Sequence, residues 1–350
     1  MYKIIVASVV GLVFTLLAGP VWIGFIKKRR IGQPIREDGP QSHLQKSGTP
    51  TMGGVLIMAG LTLAFFSATL FQGGASKATY VVLATTLLCG GVGFIDDYLK
   101  TAHARSLGIR ARWKILLLFF ISLFLTWGAV RYAQGPLLLA DGSVKYVQGQ
   151  AASIGLPQLG IFFTLGLVYF AFIFLILTAT TTAVNFTDGL DGLATGTVAL
   201  AVATYAAISF LQFRHLGFAY GLDMAILAAA ITGACGGFLW FNSYPADIFM
   251  GDTGALALGG ALAALAVFTK TEFLLILIGG LLVVETLSVI IQVVSFRWFG
   301  RRVFKMAPLH HHFELKGWSE FKIVVRFWVI ASILAASGFT IFFMEILRKG

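Results

Sequence analysis

Six aspartates stand at the ends of long apolar runs, in a chain of 350 residues that has only 15 acidic ones. A carboxylate beside lipid is costly unless a cation or a polar partner neutralises it. Such a set is therefore expected to hold a metal ion or to act on a charged substrate. The six are Asp96, Asp97, Asp188, Asp191, Asp247 and Asp252.

Asp96 and Asp97 are adjacent at the end of an apolar run. Neighbouring side chains on a helix project about 100° apart, so one carboxylate can face a metal or a phosphate while the other faces a second ligand or a lysine. Their mutual repulsion raises the cost of ionising both, and a divalent cation relieves it. Mg²⁺ suits a few carboxylates together with phosphate oxygens and water. The alternative is a pair of helix-end aspartates solvated at the membrane interface.

A second acidic cluster lies in the segment NFTDGLDG, which begins at Asn185. Asp188 and Asp191 are three residues apart and would share a face of a helix, and each precedes a glycine that permits close approach of a bound group. Capping of the following helix is the competing interpretation, since Asn and Asp are good N-cap residues.

The segment from residue 242 to 254 carries the third cluster, with Asn242, Phe249 and Asp252. Asp252 is predicted to open a helix, where its carboxylate could cap that helix or hold a metal beside a diphosphate. Phe249 offers a ring for stacking a nucleobase, and ordinary packing is its alternative.

Two polar loops complete the candidates. His310, His311 and His312 are consecutive, so their rings diverge, and hydrogen bonding to phosphate or sugar is favoured over a shared metal or plain surface exposure. Lys46 precedes a glycine-rich entry at 48 to 54, whose backbone N–H groups would suit phosphate. The spacing of a Walker P-loop is absent.

The composition determines the class of protein. Hydrophobic residues make up 58% of the chain, charged residues 12%, and the mean hydropathy is +0.87. These values predict a polytopic, all-α membrane protein. The chain has no linker rich in Pro or Ser, so residues 1 to 350 are predicted to form a single transmembrane domain. Ten apolar runs are long enough to cross a bilayer. They are 4 to 26, 51 to 72, 79 to 95, 113 to 132, 159 to 184, 193 to 211, 223 to 241, 254 to 269, 273 to 296 and 323 to 347.

The basic residues predict the orientation. Of the 26 lysines and arginines, 18 lie in the loops 27 to 50, 98 to 114 and 297 to 326, which are therefore predicted to be cytoplasmic. With ten helices both termini are then periplasmic, and the aspartates face the cytoplasm. The net charge of +11 suits anchoring to an anionic leaflet or gathering an anionic substrate. No nucleic-acid module is present. The external segment 133 to 158 is predicted to form a small β-hairpin.

The motifs resemble those of the phospho-N-acetylmuramoyl-pentapeptide transferase family, within the polyprenyl-phosphate N-acetylhexosamine-1-phosphate transferases. The resemblance covers essentially the whole chain and rests on GTPTMGG at 48 to 54, DDYLK at 96 to 100, NFTDGLDGLA at 185 to 194, NSYPADIFMGDTGALALG at 242 to 259 and MAPLHHHFELKGW at 306 to 318.

The resemblance implies a Mg²⁺-dependent enzyme of the bacterial inner membrane that acts in peptidoglycan synthesis. Such enzymes move phospho-N-acetylmuramoyl-pentapeptide from UDP to undecaprenyl phosphate, giving lipid I and UMP, and are usually homodimers. By motif match Asp252 would bind the metal. Asp96 and Asp97 would sit at the acceptor phosphate, and His310 would be essential. Nucleotide and phosphates would be surrounded by Lys46, Lys100, Asn185, Asp188, Asp191, Asn242, Phe249, His311 and His312.

Alternatives stay open at this point. An ion-coupled transporter would also bury carboxylates, but near mid-membrane, and a sister transferase would use UDP-N-acetylglucosamine. Direct attack by the lipid phosphate is preferred over an acyl-phosphate on an aspartate such as Asp96. The stretch 101 to 108 has less charge than the family pattern, and Glu285, in the middle of the ninth run, has no assigned role.

Overall fold

The computed structural model describes residues 1–29, 48–70, 73–102, 108–138, 144–148, 152–156, 161–166 and 168–349. Within these ranges nine helices are long and apolar enough to span a membrane, and a tenth apolar helix has 16 residues. The predicted class, an all-α polytopic membrane protein, is confirmed. The spans are α1 (Tyr2–Lys28), α3 (Lys77–Ala102), α4 (Ala111–Tyr132), α5 (Val168–Thr187), α6 (Leu193–His215), α7 (Gly221–Asn242), α8 (Gly251–Thr269), α10 (Gly280–Phe299) and α12 (Glu320–Lys349).

Three shorter helices complete the helical set of the described chain. α2 (Gly54–Thr69) is the tenth apolar helix, α9 (Leu275–Ile278) precedes α10, and α11 (Leu309–Glu314) precedes α12. The predicted ninth run is therefore divided at Gly279. Two adjacent glycines occur there, and glycine is a poor helix former.

Helix α8 forms the centre of the bundle. Every residue from Thr253 to Thr269 is buried, and the helix is surrounded by α2, α3, α5 and α6. Small residues on α8 make this packing possible, because they let neighbouring backbones approach closely. At Gly259, for example, an added Cβ would lie 2.5 Å from the Thr181 Cα on α5. The buried helix carries Asp252 in its first turn.

The outer connection contains two hairpins where one was predicted. β1 (Gln134–Leu138) pairs antiparallel with β2 (Val144–Gln148), and β3 (Ser153–Leu156) pairs antiparallel with β4 (Ile161–Thr164). The predicted start of the fifth helix at 159 is wrong, since α5 begins at Val168. The sequence Ile-Phe-Phe-Thr of β4 is rich in β-branched and aromatic residues, which favour a strand over a helix.

The hairpins lie at the end of α8 that is far from Asp252. Tyr220 links them to it, because its hydroxyl accepts a hydrogen bond from the Gln134 backbone N–H and donates one to the Phe268 carbonyl. A helix of 19 residues is about 28 Å long, so the hairpins and Asp252 stand at opposite ends of the bundle. The end that carries Asp252 is called the site end below.

Candidate active site

Three carboxylates meet at the site end. Asp96 and Asp97 lie in the last turns of α3, which continues to Ala102, and Asp252 lies in the first turn of α8. Each offers an oxygen within 4.8 Å of the others. Close helix packing brings them together, because a Cβ at Gly93 of α3 would overlap the Asp252 carbonyl oxygen. The three carboxylates thus lie together, and their roles in a site stay a prediction.

Asp97 caps helix α8 across the interface. Its Oδ1 accepts a hydrogen bond from the Asp252 backbone N–H at 3.0 Å, and its Oδ2 accepts from the backbone N–H and the hydroxyl of Thr253 at 2.9 and 2.6 Å. The first N–H groups of a helix lack partners within it, so a carboxylate at this place satisfies them and suits the helix dipole. Asp97 is 4% exposed and tied to the backbone. It holds α3 and α8 in register.

Asp96 is buried under a turn and faces two lysines. Its Oδ2 lies 2.6 Å from the Lys100 Nζ, and its Oδ1 lies 3.5 Å from the Lys114 Nζ. The Ile109 backbone N–H donates to Oδ1 at 2.8 Å, and an added Cβ at Gly108 would lie 2.6 Å from the carboxylate carbon. A side chain at position 108 would therefore displace the carboxylate.

Asp252 is the most accessible of the three carboxylates, with 14% of its side chain exposed, against 2% for Asp96. Its Oδ2 lies 2.7 Å from the Lys114 Nζ and 3.2 Å from the Lys100 Nζ, and its Oδ1 accepts from the Asn185 amide at 2.8 Å. The three carboxylates and two ammonium groups leave one formal negative charge. Lys100 and Asn185 thus contact Asp252, and their contact with nucleotide or phosphate stays a prediction.

Asp188 follows α5 directly, beside the cluster. Burial raises its pKa well above the ordinary value, and the carboxylates of Asp252 and Asp97 raise it further. A cation at this place would lower the pKa of Asp188 again, because it favours the ionised form of every nearby carboxylate. The predicted shared helical face of Asp188 and Asp191 is wrong, since residues 188 to 192 form turns between α5 and α6. The N-cap residue of α6 is Gly192, so neither aspartate is the N-cap residue of that helix.

Asp191 and Asn242 support the connection before α8. Asp191 accepts a hydrogen bond from the Ala246 backbone N–H at 3.1 Å, and its own N–H donates to Glu320 at 2.8 Å. Asn242 donates to the Ile248 carbonyl and accepts from the Thr195 hydroxyl. Both side chains thus hold the backbone that leads to Asp252, and their contact with a substrate stays a prediction. Asp247, on the same connection, is exposed.

The glycine-rich entry to α2 pairs with this connection. The N–H groups of Gly53 and Gly54 donate to the Phe249 and Met250 carbonyls at 2.9 and 2.8 Å, and the Phe249 N–H donates to the Pro50 carbonyl. Their expected use for phosphate is therefore wrong for these two groups, which are already bonded. The Phe249 ring is partly exposed, so it can still receive a base. Lys46 lies outside the described residues.

The three histidines have separate partners. His310 is fully buried, with Nδ1 3.2 Å from the Glu285 carboxylate. The His311 Nδ1 lies 2.6 Å from Glu314, and the His312 Nδ1 accepts from the Lys305 backbone N–H at 3.1 Å. Burial first, and then the Lys316 and Lys305 charges, lower the pKa of His312.

Two residues of this region were missed by the sequence. Lys114 lies in the first turn of α4, on a different helix from both carboxylates that it contacts, and a basic residue at a membrane interface carries no special signal. Glu285 did carry a signal, since a carboxylate within an apolar run needs a partner. Its partner, His310, could not be identified without the fold.

The fold and the site together define a polytopic membrane enzyme whose acidic, lysine-lined centre lies at one end of the bundle. The sequence model for glycosyl transferase family 4 matches residues 79 to 270, and phospho-N-acetylmuramoyl-pentapeptide-transferase signature 1 matches residues 46 to 58. The chain belongs to the phospho-N-acetylmuramoyl-pentapeptide-transferase family.

Relatives of that name are similar over their full length. The protein from Desulfitobacterium hafniense is 44% identical over 340 residues, which cover 96% of each chain. The protein from Frankia alni is 44% identical over 363 residues, covering 100% of this chain and 99% of its own. The protein from Bacillus pumilus is 42% identical over 335 residues, with 96% of each chain covered.

Proposed function

We propose that the acidic cluster transfers phospho-N-acetylmuramoyl-pentapeptide from its UDP carrier to undecaprenyl phosphate, which forms lipid I and UMP in peptidoglycan synthesis. The observation that carries the proposal is the convergence of Asp96, Asp97 and Asp252 within 4.8 Å, with Lys100 and Lys114 among them. Transfer of a phosphoryl group needs charge neutralisation and in-line positioning more than covalent help from the protein. Carboxylates for a metal and lysines for phosphate oxygens meet that need.

The donor set of the cluster fits Mg²⁺. Its candidate ligands are carboxylate oxygens, which are the ligands of hard divalent cations, and the formal charge of the cluster is negative. Asp252 is the accessible member and would hold the ion. When bound, Mg²⁺ supplies charge neutralisation of the diphosphate. Lys100 and Lys114 bind phosphate oxygens, and Asn185 keeps the Asp252 carboxylate oriented.

The acceptor phosphate attacks the donor directly in this proposal. An oxygen of undecaprenyl phosphate forms a bond to the phosphorus that carries the sugar, the diphosphate bond breaks, and UMP leaves with the electron pair. A phosphate monoester is largely ionised at neutral pH, because its second pKa is about 6, so no base has to activate it. The Asp96 carboxylate is 2% exposed and held by lysines and a backbone N–H, which supports an orienting role.

Purified protein tests the reaction. It is mixed with undecaprenyl phosphate, Mg²⁺ and either UDP-N-acetylmuramoyl-pentapeptide or UDP-N-acetylglucosamine, and UMP release is followed. We expect turnover with the first donor, its loss on chelation of Mg²⁺, and recovery when Mg²⁺ is added back. Turnover with the second donor alone would show the sister activity, and no UMP from either would contradict the proposal.

The direct route has its own test. Donor is added without undecaprenyl phosphate, and UMP release is measured against the amount of enzyme. We expect no burst of UMP and no exchange of labelled UMP into the donor. A stoichiometric burst with a trapped phosphoryl-enzyme would establish the acyl-phosphate route instead.

The surroundings of the enzyme follow from the same proposal. The bacterial inner membrane holds the protein, with the site end toward the cytoplasm, where 18 of the 26 basic residues are expected. Its partners are the UDP-linked donor, undecaprenyl phosphate and membrane lipid, with no role for nucleic acid. The chain acts as a homodimer, which light scattering in detergent tests by a protein mass of about twice 37.7 kDa.

A further inference from the structure

Glu285 is a carboxylate in the interior of a spanning helix. It lies on α10 and is fully buried. An ionised carboxylate in such a place is costly unless a partner compensates for it. Its Oε2 lies 3.2 Å from the His310 Nδ1, and His310 is fully buried as well. The two side chains therefore form a closed pair that joins α10 to α11.

The other side of the His310 ring lies against the connection between α5 and α6. A Cβ at Gly189 would overlap the His310 Nε2, so the ring edge touches the backbone of the connection between α5 and α6. That connection carries Asp188, and the nearby end of α5 carries Asn185, which bonds to Asp252. His310 thus stands between the carboxylate of Glu285 and the backbone beside the candidate phosphate site.

Neither neighbouring histidine has this arrangement. His311 pairs with Glu314 on its own helix, and His312 accepts from the Lys305 backbone. Of the three adjacent imidazoles, His310 alone is fully buried. The fold therefore gives one ring of the triplet a fixed carboxylate partner from a different helix.

We propose that Glu285 is a positioning residue for the transfer reaction and acts through His310. The Glu285 Oε2 lies 3.2 Å from the His310 Nδ1, where a carboxylate favours the tautomer with its proton on Nδ1 and orients the ring, as carboxylates do for histidines at catalytic and metal sites. Nε2 is then the ring nitrogen directed at the connection beside Asp188. The inference rests on the proposed function, and it adds a residue from α10 to the machinery of that site.

Paired variants of Glu285 test this role. Glu285→Gln removes the charge at constant size, and Glu285→Asp keeps the charge on a shorter arm. We expect Glu285→Gln to lower kcat by about tenfold or more, with KM for the UDP-linked donor within about twofold of the parent, as for other residues that orient a catalytic ligand. Glu285→Asp should recover part of the rate. The control is Ser288→Ala, which removes a buried hydroxyl from the same helix and should leave kcat unchanged.

A double-mutant cycle separates positioning from packing. If Glu285 acts through His310, adding Glu285→Gln to His310→Ala causes no further loss of kcat. The proposal would be overturned if the loss of kcat in the double variant equalled the product of the two single losses. It would also be overturned if Glu285→Gln left kcat unchanged.

A spectroscopic measurement is independent of turnover. The ¹⁵N shifts of the His310 ring, assigned by their disappearance in His310→Ala, report which nitrogen carries the proton. We expect the proton on Nδ1 in the parent and a mixture of tautomers in Glu285→Gln. Identical ¹⁵N shifts of the His310 ring in the parent and in Glu285→Gln would overturn the proposal. If the parent enzyme released no UMP, the proposed function would fail, while the ring shifts would still decide the pairing.

Discussion

Lys114 lies 2.7 Å from Asp252 and 3.5 Å from Asp96, so it touches both helices that form the acidic cluster. With Lys100 it leaves the three carboxylates one formal charge short of neutrality. In the proposed reaction the same ammonium group would neutralise phosphate oxygens. Its position makes it the residue to test first among those that sequence patterns did not indicate.

Replacement of Lys114 by methionine keeps the length of the side chain and removes the charge. We expect kcat to fall about a hundredfold or more, because a preorganised charge at a developing anion is worth about 3 kcal/mol. Arg112→Met is the matched control, since Arg112 is exposed on the same turn and its guanidinium lies over the Trp113 ring. Equal effects of the two changes on UMP release would refute a specific role for Lys114.

Replacing Asp97 and replacing Asp252 are predicted to change the stability of the protein by different amounts, although both residues lie in the site. Asp97 accepts three hydrogen bonds from Asp252 and Thr253 at the start of α8. Asp97→Asn should therefore lower the free energy of unfolding by about 1 to 3 kcal/mol, the usual cost of leaving buried donors unpaired.

Asp252→Asn should abolish UMP release, because it removes the accessible carboxylate that is proposed to hold the metal. Its effect on the melting temperature should be smaller than that of Asp97→Asn, because the amide keeps the size of the side chain and Asp96 still pairs with Lys100 and Lys114. Thermal unfolding of both variants in detergent, followed by tryptophan fluorescence, makes the comparison. The assignment of Asp97 as a cap fails if Asp97→Asn melts with the parent protein.

Helix α3 must approach α8 closely for the cluster to form. A Cβ at Gly93 would overlap the Asp252 carbonyl oxygen, whereas a Cβ at Gly91 on the same helix meets no atom within 4 Å. Backbone atoms cannot move aside as a flexible side chain can, so the helices would have to separate.

Gly93→Ala is therefore expected to lower both the melting temperature and kcat, by at least about tenfold for kcat, since misplacement by about 1 Å is costly in catalysis. Gly91→Ala should match the parent or be slightly more stable, because alanine favours a helix. The two variants are compared by thermal unfolding and UMP release. Wild-type activity in Gly93→Ala would show that this contact does not position the carboxylates.

The two ends of the helix bundle differ in chemistry. The acidic cluster lies at one end of α8, and the two hairpins lie at the other, linked through Tyr220. Lys100 and Lys114 lie at the cluster end, and the positive-inside rule predicts that this end faces the cytoplasm. The polarity of the bundle therefore agrees with a cytoplasmic, nucleotide-linked donor.

Cysteine labelling tests this direction in intact cells. Lys77 and Arg302 are both exposed, the first beyond the far end of α8 and the second after α10. A membrane-impermeant maleimide should label Lys77→Cys from outside and Arg302→Cys only after the membrane is opened. The native Cys89 and Cys235 are buried and serve as an internal control for background. The reverse pattern would overturn the predicted orientation.

Apolar run length determined most of the architecture. A stretch of about 20 apolar residues has to be helical in lipid, whatever its neighbours, so the class of fold and the approximate spans followed from local composition. The same reasoning misplaced the start of α5, because the strand β4 is also apolar and composition does not distinguish the two states. The division at Gly279 likewise became visible only in the structure.

Residue type indicated which aspartates could do chemistry, and only the tertiary structure decided what each one does. Asp96, Asp97 and Asp252 looked alike as carboxylates at helix ends, yet Asp97 caps α8, and of the two that contact the lysines Asp96 is buried and Asp252 stays partly accessible. Lys114 and the Glu285–His310 pair were out of reach because their partners are far away in the chain. Chemical identity is local to a residue, whereas burial, pairing and charge balance depend on which helices pack together.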